Sequence, residues 1–166
     1  MYPDSWLSRL TSHESPPAED AQALLRRAQA LQQEASPACR PLAGKRLGLM
    51  SAHPEDEDGR LFEQAACELG AHVARIAAPA EASDGDTQRL ADIGRLLGRL
   101  YDTVECQGMG AATVQRLAQA GNLPVLPGLA SREHWLFQLA QGWPAPAPLA
   151  DRRRWLVQAA LLAALD

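Results

Sequence analysis

Short apolar runs alternate along this chain with stretches of helical periodicity, and that alternation limits the fold more than any other feature. Arg46-Leu47-Gly48-Leu49-Met50, His72-Val73-Ala74-Arg75-Ile76, Thr103-Val104-Glu105-Cys106 and Leu123-Pro124-Val125-Leu126 all have strand length. The first is nearly continuous in apolar character, as a strand covered on both faces requires. After each run, apolar residues recur every three or four positions. The stripes are Leu61, Phe62, Ala65, Ala66 and Leu69; Leu90, Ile93, Leu97 and Leu100; Val114, Leu117 and Ala118; and Trp135, Leu136 and Leu139. Gly70, Gly121 and Gly142 stand where helices stop, while Asp86 or Thr87, and later Ser131, stand where they are capped. A strand, a helix and a further strand in succession make a right-handed crossover between parallel neighbours. The expected fold is therefore α/β and three-layered, with about four parallel strands and helices on both faces.

Each end adds to this body. Residues 18–34 carry the stripe Ala21, Leu24, Leu25, Ala28 and Leu31, with Glu19 and Asp20 in the first turn and Pro37 and Pro41 beyond the end. Before them, residues 1–17 place Trp6, Leu7 and Leu10 between prolines, as an arm that docks on the body or on a neighbouring subunit would. Residues 143–149 form a stiff, extended, proline-rich linker. Asp151 then caps an apolar helix, 150–166, that packs back on the same α/β domain of residues 18–142.

Composition narrows the setting. A formal net charge of −4 leaves no basic face for a nucleic acid. Arg152-Arg153-Arg154 is the one basic cluster, and it is expected on a solvated helix face. Cys39, Cys67 and Cys106 are too few and too scattered for a disulfide framework or a zinc site, so reduced thiols and a cytoplasmic location are expected. The chain opens without a basic-then-apolar leader, and its longest apolar stretch, 155–165, is too short to span a bilayer.

The first apolar run ends in Ala52-His53-Pro54-Glu55-Asp56-Glu57-Asp58-Gly59. A strand-to-helix turn early in an α/β chain is a common phosphate site, because helix N-terminal amides point outward there. Four consecutive carboxylates have the wrong sign for that use. Three uses stay open: a solvated turn, a socket for a basic peptide or amine, and a cation site. The first draws on the macrodipole, with Asp58 as a good cap. Asp56-Glu57-Asp58-Gly59 misses the calcium-loop pattern and His53 and His72 are scattered, so no metal or other cofactor is assigned.

From Pro41-Leu42-Ala43-Gly44-Lys45-Arg46-Leu47-Gly48-Leu49 onward the chain resembles the ornithine and aspartate carbamoyltransferases, which often open their first strand with Leu-x-Gly-Lys. The resemblance continues through Phe62-Glu63, Leu69-Gly70-Ala71-His72 and Asp92-Ile93-Gly94-Arg95-Leu96-Leu97-Gly98-Arg99, the last being similar to the family's Asp-Thr-Ala-Arg-Val-Leu-Ser-Arg segment. Pro124-Val125-Leu126-Pro127-Gly128-Leu129 and His134 resemble the approach to its His-Pro-Cys-Gln motif, and 151–165 resembles its last helix. The resemblance implies the carbamoyl-phosphate-binding domain, over roughly 18–142 and 150–166, without the second domain that binds the amino-acid substrate. Gly44 and Lys45 are then structural, and Arg95 and Arg99 can pair with Asp92 or Asp102.

Set against the family pattern, the phosphate-holding Ser-Thr-Arg-Thr-Arg is replaced by Glu55-Asp56-Glu57-Asp58-Gly59, the arginine after the third strand by Gln107, and His-Pro-Cys-Gln by His134-Trp135-Leu136-Phe137. The loop at 77–85, which in some members reaches across a trimer interface, has no Lys or Arg. Two unit charges about 4 Å apart interact by roughly 4 kcal/mol at an effective dielectric of 20. Inverting several such contacts removes carbamoyl phosphate, and a few neutral hydrogen bonds of about 1 kcal/mol do not restore it. His134 is either a relic of the carbamoyl-polarising histidine or a packing residue. Trp135, Phe137 and Trp143 are expected to plug the vacated cleft. Three functions follow: an inactive paralogue in assembly or regulation, as a homo-oligomer (a trimer by resemblance) or mixed with a full-length carbamoyltransferase; a binder of ornithine, a polyamine or a metal in a charge-reversed pocket; or a transferase only with a partner chain. No residue is assigned a catalytic role.

Overall fold

The computed structural model describes residues 5–12, 14–34, 40–53, 55–79 and 87–165. Along the chain these form α1 (Ser5–Leu10), α2 (Ala18–Gln33), β1 (Arg46–Ser51), α3 (Glu57–Glu68), β2 (His72–Ala77), α4 (Thr87–Leu100), β3 (Thr103–Gln107), α5 (Ala111–Gly121), β4 (Val125–Leu126), α6 (Trp135–Gly142) and α7 (Leu149–Leu165). The strands make one parallel sheet in the order β2-β1-β3-β4. This is the α/β architecture that the alternating pattern predicts. Pro124 precedes the two-residue strand β4 at one edge, and its carbonyl accepts from the Val104 amide at 3.1 Å and the Thr103 hydroxyl at 2.7 Å.

Each sheet face has its own core. Leu47 and Leu49 project from β1 toward α3 and α7, where Phe62, Leu156 and Leu161 are fully buried. Met50 projects the other way and meets Val104, Cys106, Leu90 and Leu117 under α4 and α5. Period-two alternation along β1 produces both sets. Between α4 and α5 the backbones nearly touch, because Gly94, Gly98 and Gly121 carry no side chains. A Cβ at Gly98 would overlap the Gly121 carbonyl.

Helix α7 lies in the first core with Arg153 and Gln158 among its buried residues. This corrects the expectation of a solvated arginine face. Arg152 Nη1 donates to the carbonyls of Ala140 (3.0 Å) and Trp143 (2.6 Å), tying off the last turn of α6. Arg154 pairs with Glu68 at 3.2 Å and with Asp151 at 3.0 Å. Arg153 is only 6% exposed and pairs with Asp58. The residues after α6 are drawn into tight turns rather than extended, with Ala145 N donating to Trp143 O and Ala147 N to Ala145 O. Trp143 is buried, edge-on to Trp155. Arg95 does pair with Asp92, whereas Asp102 accepts from the Arg46 amide at 2.7 Å and ties α4 to the start of β1.

Candidate functional site

The C-terminal ends of β1 and β3 and the segment after β4 open onto a cleft of about 650 Å³ whose lining includes Asp56, Asp58, Gln107, Gly110, Ser131 and Arg132. Ligands of open parallel sheets bind at such strand ends.

The acidic loop forms the cleft's α3 side, and its cap is Asp56 rather than Asp58. The Asp56 carboxylate accepts from the Asp58 amide at 3.3 Å, so it occupies the N-terminus of α3 itself. Glu55 pairs with Arg60 at 2.5 Å and Glu57 with Arg132 at 3.2 Å, both in exposed positions where such pairs contribute little. Asp58 instead meets Arg153 in a buried pair, and Arg153 also donates to the Ala130 carbonyl at 2.8 Å. Gly59 is buried in the first turn of α3, where an added Cβ would meet Leu49 at ordinary contact distance. Each carboxylate of the run thus has a partner within the chain. Pro54 and residues 80–86, and with them most of the loop expected at a trimer interface and the Asp86 cap, lie outside the described residues, as does Cys39.

Beneath the cleft, β3 is buried along its whole length. Val104 and Cys106 face α4 and α5, so Thr103, Glu105 and Gln107 face α3 and α7. Glu105 is fully buried there. Its Oε1 accepts from Gln107 Nε2 at 2.6 Å and from the Ala130 amide at 3.4 Å, and its Oε2 has no partner among the described residues. Burial drives its carboxyl well above the usual carboxylate range, outweighing the downward pull of the Ala130 and Leu129 amides and Gln107, and the nearby Asp58 charge adds to the rise. The Ala130 peptide is therefore held from both sides, its N–H by Glu105 and its carbonyl by Arg153. Sequence reading passed over Glu105, although a carboxylate inside a buried-strand run is itself the signal. Burial also pushes the neighbouring Cys106 thiol up to about 12, with the Glu105 charge adding to it.

Gln107 does lie at the cleft, 1% exposed. Its Nε2 is turned down to Glu105, and no donor among the described residues reaches its Oε1. His134 does not line the cleft. It is fully buried as the N-cap of α6, where Nδ1 accepts from the Leu136 amide at 3.3 Å. That bond places the proton on Nε2, which lies 3.1 Å from the Leu10 carbonyl and so ties α1 to α6. Ser131 is correspondingly not the cap, its hydroxyl accepting from the Glu133 amide in the preceding turn. The expected aromatic plug is absent among the described residues: Trp135 and Trp143 belong to the α7 core, and Phe137 lies beneath the Arg153 guanidinium, 5.1 Å from its ring centre. The cleft is open.

Among the described residues, no group of three or more His, Cys, Asp or Glu side chains is placed to hold a metal. No described helix is long and apolar enough to cross a membrane.

Comparison with known proteins places the same architecture in a family. Residues 9–140 match the family described as aspartate/ornithine carbamoyltransferase, carbamoyl-P binding domain. The chain is 34% identical over 95 residues to a catabolic ornithine carbamoyltransferase of Malacoplasma penetrans, a match covering 57% of this chain and 28% of that one. It superposes on ornithine carbamoyltransferase from Thermus thermophilus with a TM-score of 0.60 and 28% identity, over 74% of this chain and 42% of the other. Ornithine carbamoyltransferase from Pyrococcus furiosus gives 0.59 and 25%, over 75% and 40%. The chain thus spans less than half the length of each of these relatives. Through this domain it belongs to the aspartate/ornithine carbamoyltransferase family.

Proposed function

We propose that this chain keeps the carbamoyl-phosphate-domain scaffold without transferring carbamoyl groups on its own, and that it acts in assembly or regulation in the cytoplasm. One observation carries the reading: the N-terminus of α3 already holds an anion belonging to the chain, the Asp56 carboxylate. A phosphate would have to displace it and then meet the carboxylates of Glu55, Glu57 and Asp58, which already engage Arg60, Arg132 and Arg153 and leave none of those cations free for an anionic ligand. Gln107 and His134 add no cation in compensation, His134 being committed to its cap and to Leu10. Glu55 to Gly59, Gln107 and His134 are accordingly read as degenerate positions of the family site. The short passage from the end of α6 at Gly142 to the start of α7 at Leu149 supports the same reading, since no second body intervenes there. Incubation with carbamoyl phosphate and ornithine or aspartate is expected to yield neither citrulline nor carbamoyl-aspartate. Calorimetry is expected to find no carbamoyl phosphate binding at a Kd of about a millimolar, the scale of −4 kcal/mol. Product formation by the chain alone overturns the reading.

Association, as a homotrimer or with a full-length carbamoyltransferase, is supported by surface the single chain leaves uncovered. Strand β2 is an edge with Val73 and Ile76 half-buried and its other residues exposed, and Leu96 and Leu100 are exposed on α4. Light scattering of the chain, alone and with a full-length carbamoyltransferase, is expected to give a mass above the monomer's. Monomer mass in both samples removes the assembly role. The reading as a binder of polyamines loses support, because the carboxylates that would form its pocket are already partnered.

A further inference from the structure

One chain of bonds runs beneath the cleft and joins its walls. Gln107 Nε2 donates to Glu105 Oε1 at 2.6 Å, and the Ala130 amide donates to the same oxygen at 3.4 Å. The Ala130 carbonyl accepts from Arg153 Nη2 at 2.8 Å, and Arg153 pairs with Asp58. The Asp58 amide donates in turn to the Asp56 carboxylate at 3.3 Å. Gln107 lines the cleft at the end of β3, the 127–133 segment supplies one wall, and Asp56 and Asp58 belong to another. Gly128, at φ 76°, begins the 127–133 wall with the backbone freedom of a residue that has no side chain.

Glu105 is the link that can change. With both N–H donors on Oε1, the proton of the buried acid falls to Oε2, which has no partner among the described residues. The groups facing Glu105 favour that neutral form. Its register partners, Leu49 of β1 and Leu126 of β4, are apolar. The segment after β4 offers the Leu129 and Ala130 amides. Helix α7 offers Arg153, already shared between Ala130 and Asp58, and α3 brings Asp58, a further negative charge. On β3 itself stand Gln107 and, toward the opposite face, the Cys106 thiol. An ionised Oε2 in this place needs water or a cation. Water stands in the cleft, which Gln107 and Cys106 line, and the cation on the chain of bonds is Arg153. Either answer breaks the same contacts: water takes the place of the Ala130 amide, or Arg153 leaves Asp58.

We propose that Glu105 is a proton-operated latch beneath the cleft: neutral, it holds the 127–133 wall and, through Ala130 and Arg153, the first turn of α3; ionised, it releases both. The latch goes beyond the proposed function and stands apart from it, since neither carbamoyl transfer nor association enters its test. Amide spectra of the whole chain are recorded over a series of pH values. The Ala130 and Asp58 amides are expected to shift together over one interval above the usual carboxyl range, and to stay still across it in Glu105→Gln, which cannot ionise. In Arg153→Lys, which lacks the planar fork that serves two acceptors, Ala130 is expected to shift and Asp58 to stay still. A shift of Ala130 alone in the wild type, or of Asp58 in Arg153→Lys, overturns the link between the walls. Should Arg153→Lys not fold, the wild type and Glu105→Gln decide.

Release itself is read at Cys106, which lines the cleft but is almost wholly buried. A charge on Glu105 behind a closed wall pushes the Cys106 thiol up and slows its alkylation, whereas an opened wall speeds it. Alkylation of the whole chain by iodoacetamide is followed at Cys106 by peptide mass. Up to the interval of the amide shifts, the wild-type rate is expected to climb about tenfold per pH unit more steeply than that of Glu105→Gln, the slope of an opening linked to one proton. An equal or shallower climb overturns the latch. Opening at Cys106 is also expected to be about tenfold or more frequent than the global opening read by hydrogen exchange at the Leu24 and Leu161 amides. Equal frequencies mean that the whole chain unfolds, and they overturn it as well.

Discussion

Helices α3 and α5 both present their N-termini to one cleft, at corresponding positions after β1 and β3. At α3, Asp56 covers the first amides, and Asp58, two residues on in the same first turn, is held by the buried Arg153. At α5, Gly110 leaves its amides uncovered, and no buried pair restrains the first turn. Backbone geometry makes every helix N-terminus a potential anion site. The cap residue then decides whether the protein or a ligand supplies the anion. The contrast also separates the exposed part of the acidic run, Glu55 and Glu57, from the part built into the core, Asp58.

The strongest test of this contrast removes Arg153. Arg153→Met leaves Asp58 and the Ala130 carbonyl without their buried partner, and truncating one side of a buried pair costs about 3–5 kcal/mol. Urea unfolding is expected to show a loss of that size. Adding Asp58→Asn should recover part of it, because the second change removes the stranded charge. A loss below about 1 kcal/mol for the single variant would mean that cleft water serves Asp58 as well as Arg153 does, and α3 would then be no more restrained than α5.

Next in size is a dependence on pH set by Glu105. Its carboxyl is raised in the folded chain, chiefly by burial, so the folded state holds a proton that the unfolded state releases in the ordinary carboxyl range. Stability from this group is fully present below that range. It is lost progressively as pH climbs from the unfolded value through the folded one, with a slope of at most about 1.4 kcal/mol per pH unit. Glu105→Gln, which cannot ionise, is expected to flatten this fall in urea titrations run at a series of pH values. An unchanged slope would show that the charged form is stabilised beneath the cleft by the donors from Gln107 and Ala130.

The fold was legible because α/β alternation is written in local periodicity: Leu61 to Leu69 and Leu90 to Leu100 mark amphipathic faces that need no knowledge of what covers them. The site was legible only in part. Gln107 and the acidic run were placed at the cleft by the resemblance, but their partners come from far along the chain, as Arg153 does for Asp58 and Ala130 for Glu105. Sequence spacing carries no record of such pairings. Arg152-Arg153-Arg154 was misread for that reason, since three arginines in a row look solvated unless the acceptors waiting for them are known. His134 divides the same way: its ring suits either a site or a cap, and only the Leu136 amide and the Leu10 carbonyl decide between them. At the helix starts the error was smaller, two residues at α3 and three at α6, because Asp, Ser and His all make acceptable caps.

The smallest effects test the caps themselves. Asp56→Ala removes the α3 cap and is expected to cost about 1 kcal/mol in urea unfolding. Gly110→Asp runs the comparison in reverse, giving α5 the kind of cap that α3 has. Glycine is only a few tenths of a kcal/mol worse than a good cap, so the gain is expected near 0.3 kcal/mol, helped by the macrodipole and opposed by the other carboxylates of the cleft. Gly110 already has φ −63° and ψ 139°, the extended geometry of a capping residue, so aspartate needs no change of backbone. A gain of any size, with the α5 amides shifted and protected from exchange, would show that the two helix starts differ only in what caps them. A loss would mean that the α5 amides are better served by solvent or a ligand than by the chain, and α5 would then be held bare by the cleft's own negative field.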